Sequence, residues 1–136
     1  MFMVGIKKKV LFICVYNSDR SQMAEGLLRA TYPDSYEAYS AGIKLAAVDL
    51  LAVEVMNEIG IDISKHKSKT RDFFRGLKFD CVATLCSSME NNCPFFPGAK
   101  KYIHKGFGNP HDLDGDDLTN FRKVRDEIRQ WIIETF

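Results

Sequence analysis

Cys14 and Arg20 are separated by five residues, with Asn17 among them and Ser21 directly after Arg20, and these residue types can together capture and attack a tetrahedral oxyanion. Cys14 lies next to the end of a run of apolar residues, and the polar stretch that follows leads into helical spacing. A tight loop in that position can turn the successive backbone N–H groups of Val15, Tyr16, Asn17, Ser18 and Asp19 inward as an anion cradle, and the helix start adds a positive dipole end. Arg20 supplies a planar fork for two oxyanion oxygens at once. An ordinary thiol with a pKa of about 8.5 is only about 3% ionised at pH 7, and helix N-termini and cations lower that pKa to roughly 3.5 to 7.5. Cys14 is therefore expected to be mostly thiolate. Ser21 can donate a hydroxyl hydrogen bond to the sulfur, and Asn17 tolerates the left-handed backbone that a tight loop can require. The Cys-to-Arg spacing alone is a weak signal, and its place between a strand and a helix gives it weight.

A second pair of thiols follows the third apolar run: Cys86 directly after it, and Cys93 seven residues later before Pro94. Were residues 86 to 93 helical, the two Cα atoms would lie about 10 Å apart, beyond the roughly 7 Å that a disulfide spans. Pairing them requires local unwinding, which suits a segment that presents a disulfide to a reducing partner. Two other readings stay open on the residues alone. One is a zinc site from Cys81, Cys86, Cys93 and His104 or His66, which the lack of a C-x2-C knuckle weakens. The other is a pair of core cysteines, the role expected of mid-strand Cys81.

The elements that must position these groups are legible from periodicity. Val10 to Val15 is a continuous apolar run rich in β-branched and aromatic residues, the pattern of a central parallel strand. Met23, Ala24, Leu27, Leu28 and Ala30 follow at helical spacing. Tyr36 to Ala41, closed by Gly42, reads as a second strand, and Val48 to Ile59 as a helix stopped by Gly60. Phe79 to Leu85 gives a third strand and Lys101 to His104 a weaker fourth. Phe121, Val124, Ile128, Trp131 and Ile132 mark a terminal amphipathic helix, and the proline- and glycine-rich stretch 92–117 reads largely as loop. Alternation of this kind predicts a three-layer α/β sandwich around a four-stranded parallel sheet, with residues 1–136 as a single domain. Cys14 then sits where such sheets bind ligands, beyond the carboxyl end of a strand.

Composition narrows the partners. A chain of 136 residues, 46% hydrophobic and 27% charged, has the makings of a core, and a net charge of +1 favours neither a nucleic-acid backbone nor an acidic membrane. No apolar run approaches a membrane span, and the start of the chain lacks a signal-peptide core. A cytoplasmic setting is expected, where thiols stay reduced and cysteines read as catalytic, metal-binding or buried.

The stretch from Cys14 through Arg20-Ser21-Gln22-Met23-Ala24-Glu25 resembles the signature of the low-molecular-weight tyrosine phosphatase superfamily, and its Gln-Met-Ala-Glu continuation looks like the thioredoxin-coupled arsenate reductase branch. The segment from Thr84 to Pro94 is similar to that branch's redox segment, which plain phosphatases lack. The resemblance implies that Cys14 attacks arsenate held by the loop amides and Arg20, that Cys86 then attacks Cys14 as arsenite departs, and that Cys93 resolves the disulfide. Thioredoxin or a similar dithiol would reduce the Cys86–Cys93 bond, with electrons from thiols and no metal.

Two departures from the pattern stand out. The superfamily's general-acid aspartate precedes a proline, and here Asn109 precedes Pro110; an amide cannot give up a proton in that way, so Asp112 or His111 is the expected substitute. Asp19 stands where relatives often have cysteine or a small residue, and is expected to point outward, away from a bound anion. The family's potassium site draws on residues matching Asn17, Glu25 and Ser40. With Lys67 and Lys69 in place of its threonine and aspartate, a lysine ammonium is expected to replace the ion, and whether potassium itself binds is left open. Two alternatives share the loop: a phosphatase acting on phosphotyrosine or small phosphoesters, against which the missing aromatic after Pro110 also counts, and a non-catalytic oxyanion or redox sensor.

Overall fold

Hydrophobic alternation along β1 (Lys8–Ile13) assigns Val10 and Phe12 to one side of the sheet and Leu11 and Ile13 to the other, and all four are buried. The computed structural model describes residues 6–87 and 96–136. In chain order β1 is followed by α1 (Arg20–Thr31), β2 (Tyr36–Ala41), α2 (Leu50–Asn57), a 3-10 turn (Arg71–Phe74), β3 (Phe79–Thr84), β4 (Ala99–His104), a second 3-10 turn (Pro110–Asp112) and α3 (Asp117–Thr135). The strands form one parallel sheet in the order β2-β1-β3-β4. The chain steps from β1 to one side and then to the other, so the end of β1 is a switch point where a crevice opens.

Two apolar layers flank the sheet. On one side Met23, Leu27 and Leu28 of α1, Val55 and Met56 of α2, and Phe121, Val124, Ile128 and Trp131 of α3 pack with Val10 and Phe12. On the other side the layer is thinner among the described residues: Phe74 of the 3-10 turn and Phe96 meet Phe79 edge-to-face with ring centroids 5.8 and 5.5 Å apart, and Tyr39 joins them. Edge strand β4 is mostly exposed, which is why its pattern in the sequence is weak.

Element ends differ from the sequence reading for local reasons. β1 stops at Ile13, because the Val15 carbonyl leaves the sheet and accepts from the N–H groups of Ile43 and Lys44 at 2.9 and 3.2 Å. α1 begins at Arg20 rather than near Met23, because Asp19 caps it. Asp49 caps α2 by accepting from Leu51 N–H, and Gly60 at φ 79° ends the turn after that helix, as expected.

The most confined point of this frame is Gly42, just past β2. A Cβ there would lie 2.7 Å from the backbone nitrogen of Asn17 and 2.9 Å from the carbonyl oxygen of Val15. Both are backbone atoms of the Cys14 loop and have nowhere to go. Gly42→Ala is therefore expected to cost about 1–3 kcal/mol, the range for overpacking, and to weaken oxyanion binding by displacing the loop; urea denaturation and phosphate titration of the variant check both.

Candidate active site

The loop from Cys14 to Arg20 is held from outside. The Val15 carbonyl is tied to residues 43 and 44, the Ser18 carbonyl accepts from Asp49 N–H at 2.9 Å, and the Asn17 carbonyl accepts from Gln22 Nε2 at 3.2 Å. In a trans peptide the N–H points opposite its carbonyl, so these ties aim the N–H groups of Tyr16, Ser18 and Asp19 at the concave side. The peptide between Tyr16 and Asn17 is reversed: its carbonyl accepts from the Cys14 thiol, and the Asn17 nitrogen backs onto Gly42. No described residue other than glycine has a positive φ, so the left-handed backbone foreseen for Asn17 is not used.

Asn17 works instead through its side chain. Its Oδ1 accepts from Gln22 Nε2 at 2.7 Å and from Lys69 N–H at 2.8 Å, which leaves Nδ2 to donate to Ser21 Oγ at 3.0 Å. With that lone pair engaged, the Ser21 hydroxyl hydrogen is free to point at Cys14 Sγ, 3.0 Å away. Arg20 is buried, and its Nη1 donates to the carbonyl of Phe107 at 3.0 Å. That carbonyl arrives because the chain leaving β4 crosses over β3, with Phe107 N–H donating to Leu85 O at 3.1 Å.

Three expectations are corrected here. Cys14 is fully buried, and burial pushes its thiol up to about 11; the Asp19 carboxylate raises it further, while Ser21 and Arg20 pull it down without prevailing. The group is a thiol at neutral pH, not a ready thiolate. Asp19 does not point outward: it is 6% exposed, its Oδ1 takes the N–H of Arg20 and lies 3.5 Å from Arg20 Nε, and burial raises its carboxyl above the usual range. The cation placed against Glu25 is a guanidinium rather than a lysine. Arg29 Nη2 is 3.1 Å from Glu25 Oε2, His66 Nδ1 is 3.5 Å from it, and Ser40 Oγ donates to Oε1 at 2.6 Å, whereas Lys69 Nζ turns to the Lys67 carbonyl.

On the 3-10 turn, Asp112 is exposed, and it is His111 that reaches the loop region. The His111 ring bridges Asp49 Oδ2 at 2.5 Å and Asp117 Oδ2 at 3.0 Å, and these carboxylates hold its pKa above the ordinary value. Ligand atoms of Asp19, Asp49 and His111 all lie within 4.8 Å of one another. His111 is hydrogen-bonded to Asp49 and Asp117, and Asp19 to Arg20, so each member of the trio already has a partner. Asp49 escaped notice in the sequence, although an aspartate before an apolar helical run is a capping signal.

The register of β1 on β3, with Ile13 opposite Thr84, brings Cys86 out at the same sheet edge as Cys14, and Leu85 N–H donates to Ile13 O at 2.8 Å. Cys86 is buried. Cys93 lies outside the described residues. Cys81 is buried in the helix-side core on β3, and His66 belongs to the Glu25 network.

A family model described as low molecular weight phosphotyrosine protein phosphatase matches residues 9–135. Arsenate reductase 2 of Staphylococcus haemolyticus is 45% identical over 130 residues, 96% of this chain and 96% of its own. An arsenate reductase in the phosphate binding state superposes with a TM-score of 0.81 at 31% identity, covering 93% of this chain and 95% of that one. A thioredoxin-dependent arsenate reductase of Corynebacterium glutamicum superposes with a TM-score of 0.68 at 28% identity, covering 97% of this chain and 63% of that one.

Two outcomes follow from the geometry. Ser21→Ala removes a hydrogen bond that lowers the Cys14 pKa, so alkylation of Cys14 by iodoacetamide at fixed pH should slow, followed peptide by peptide by mass spectrometry. The raised folded pKa of His111 means that its protonated form stabilises the fold: the contribution is complete below about pH 6.5, the unfolded value, and disappears as pH rises through the folded value. Urea midpoints of the wild type should therefore fall across that interval more than those of His111→Gln.

Proposed function

Because the chain belongs to the low molecular weight phosphotyrosine protein phosphatase family, we propose that it uses the shared cysteine loop to reduce arsenate to arsenite, recharged by thioredoxin or a similar dithiol. The observation that carries this reading is that Cys86 follows β3 at the same sheet edge where Cys14 follows neighbouring β1, so a second buried thiol leaves the sheet on the side of the oxyanion loop. A phosphatase needs only the first. The likeness to arsenate reductases over nearly the whole chain supports the same reading.

In the first step the amides of Tyr16, Ser18 and Asp19 and the Arg20 guanidinium hold the oxyanion, and Cys14 sulfur bonds to arsenic as a hydroxyl leaves as water. Arsenic stays pentavalent. Cys86 sulfur then attacks Cys14, the sulfur–arsenic bond gives its electron pair to arsenic, and arsenite leaves as the Cys14–Cys86 disulfide forms. Cys93 displaces Cys14 to give Cys86–Cys93, which the dithiol partner reduces. The electrons come from thiols, and a cytoplasmic setting suits chemistry that needs reduced cysteines. Since burial keeps Cys14 protonated, its ionisation has to be coupled to binding, when the Tyr16 carbonyl gives up the thiol hydrogen.

A second reading, hydrolysis of small phosphoesters, is favoured by the same loop and Arg20, and it would run on Cys14 alone. Cys86→Ser separates the two. Under the reductase reading the variant loses steady-state arsenate reduction with thioredoxin by at least about 100-fold while keeping any cleavage of para-nitrophenyl phosphate. Peptide mapping of arsenate-treated wild type should find Cys86 joined to Cys93, and finding all cysteines still reduced after arsenate would sink the reading.

A further inference from the structure

The position before Pro110 holds Asn109, so that position offers no carboxyl to protonate a leaving oxygen, and Asp112 on the same turn is exposed. A carboxyl does sit inside the loop itself. Asp19 is buried in that loop, its Oδ1 accepts the N–H of Arg20 and lies 3.5 Å from Nε of the guanidinium that would hold the oxyanion, and ligand atoms of Asp49 and His111 lie within 4.8 Å. A permanently charged carboxylate there would repel a bound oxyanion; the neutral acid does not, and it can donate a hydrogen bond.

We propose that Asp19 is the proton carrier of this site: its carboxylate takes the thiol proton of Cys14 as the oxyanion binds and, as the neutral acid, hands it to the oxygen that leaves. The inference rests on the arsenate reading for its substrate but on this chain's own loop for its residue. Written out, the Cys14 thiol and dihydrogen arsenate give the Cys14 sulfur–arsenic adduct as a monoanion plus water, so one sulfur–arsenic bond forms, one arsenic–oxygen bond breaks and no electron changes hands. The thiol hydrogen ends in the water.

The groups that face Asp19 from every side suit this role. Arg20 favours its charged form, Asp49 its neutral form, and His111, whose protonated form is favoured by hydrogen bonds to Asp49 and Asp117, acts in the same direction as Arg20. Burial of both Asp19 and Cys14 places two acids in one dry loop, and Asp19 is itself a main influence on the Cys14 thiol. A proton passed between them stays out of water. Asp49 and His111 are positioning residues, since they reach the carrier rather than the oxyanion.

Asp19→Asn and Asp19→Ser both keep a side chain able to cap α1 but cannot carry a proton. Two readouts move in opposite directions if Asp19 is the carrier. Cys14 alkylation at pH 8 should become several-fold faster, because a negative charge beside the thiol is gone, while kcat for arsenate with thioredoxin falls about 100-fold, the scale of a lost acid–base catalyst. Asp19→Glu should restore part of kcat and its pH dependence. If both variants reduce arsenate at the wild-type rate or faster, Asp19 is only a repulsive neighbour and the proposal is overturned. If alkylation and turnover fall together in both, Asp19 is only a cap and the proposal is likewise overturned. Should the wild type itself fail to reduce arsenate, the substrate reading fails alone. Asp19 is then judged on phosphoesters, where loss of a proton donor must slow phenyl phosphate more than para-nitrophenyl phosphate, the better leaving group, and equal slowing overturns the role.

Discussion

A backbone that holds an anion must turn its carbonyls elsewhere, and in this chain the stretch between β2 and α2 receives them. Residues 43, 44 and 49 take the carbonyls of Val15 and Ser18. They lie within reach because β1 and β2 run parallel in a register that sets Ile13 opposite Ala41, so the two chains leave the sheet side by side. Gly42 is the hinge of that arrangement, since no side chain fits between the departing strands. The loop's shape is thus a property of the sheet, transmitted through a handful of hydrogen bonds, and its amides point inward because their carbonyls are already committed.

Burial then decides the electrostatics. Three ionisable groups, Cys14, Asp19 and Arg20, share one loop with almost no exposed surface. Desolvation is the largest influence on both acids and outweighs the single guanidinium, because one positive charge cannot hold two negative ones in a low dielectric. The loop thereby keeps its nucleophile as a thiol that donates to the Tyr16 carbonyl, with Ser21, oriented by Asn17, ready to support the thiolate when it forms. Reactivity of this kind is gated by what binds rather than stored in advance.

Periodicity located β1, β2, β3, α1 and α3 because each places a continuous or regularly spaced apolar set against a core, and the chemistry of Cys14, Arg20 and Ser21 was readable because it lies within eight consecutive residues. What was not legible has a common cause. The inward turn of Asp19 depends on Asp49 and His111, which are 30 and 92 positions away. The protonated Cys14 depends on the depth of burial, which no spacing encodes. The Arg29 partner of Glu25 is an i,i+4 pair visible in the sequence, yet choosing it over Lys67 or Lys69 requires knowing where those ammonium groups turn. Short-range pattern defines elements, and long-range contact defines the charge state of what they carry.

The same division bears on how oxidation leaves the site. Cys14 and Cys86 follow the two central strands, and the ends of central strands are covered from both sides, so both thiols are buried. Under the proposed relay that burial favours sulfur–sulfur attack over loss to solvent, but it would leave a Cys14–Cys86 disulfide out of reach of a protein reductant. Leu85 cannot open the way, because its N–H is held by Ile13 and its carbonyl by Phe107, whose own carbonyl anchors Arg20. Loosening Leu85 would therefore disturb the anion cradle. Under the proposed relay, any movement that carries the oxidised pair outward has to begin beyond that double anchor, and the cradle can then keep its shape.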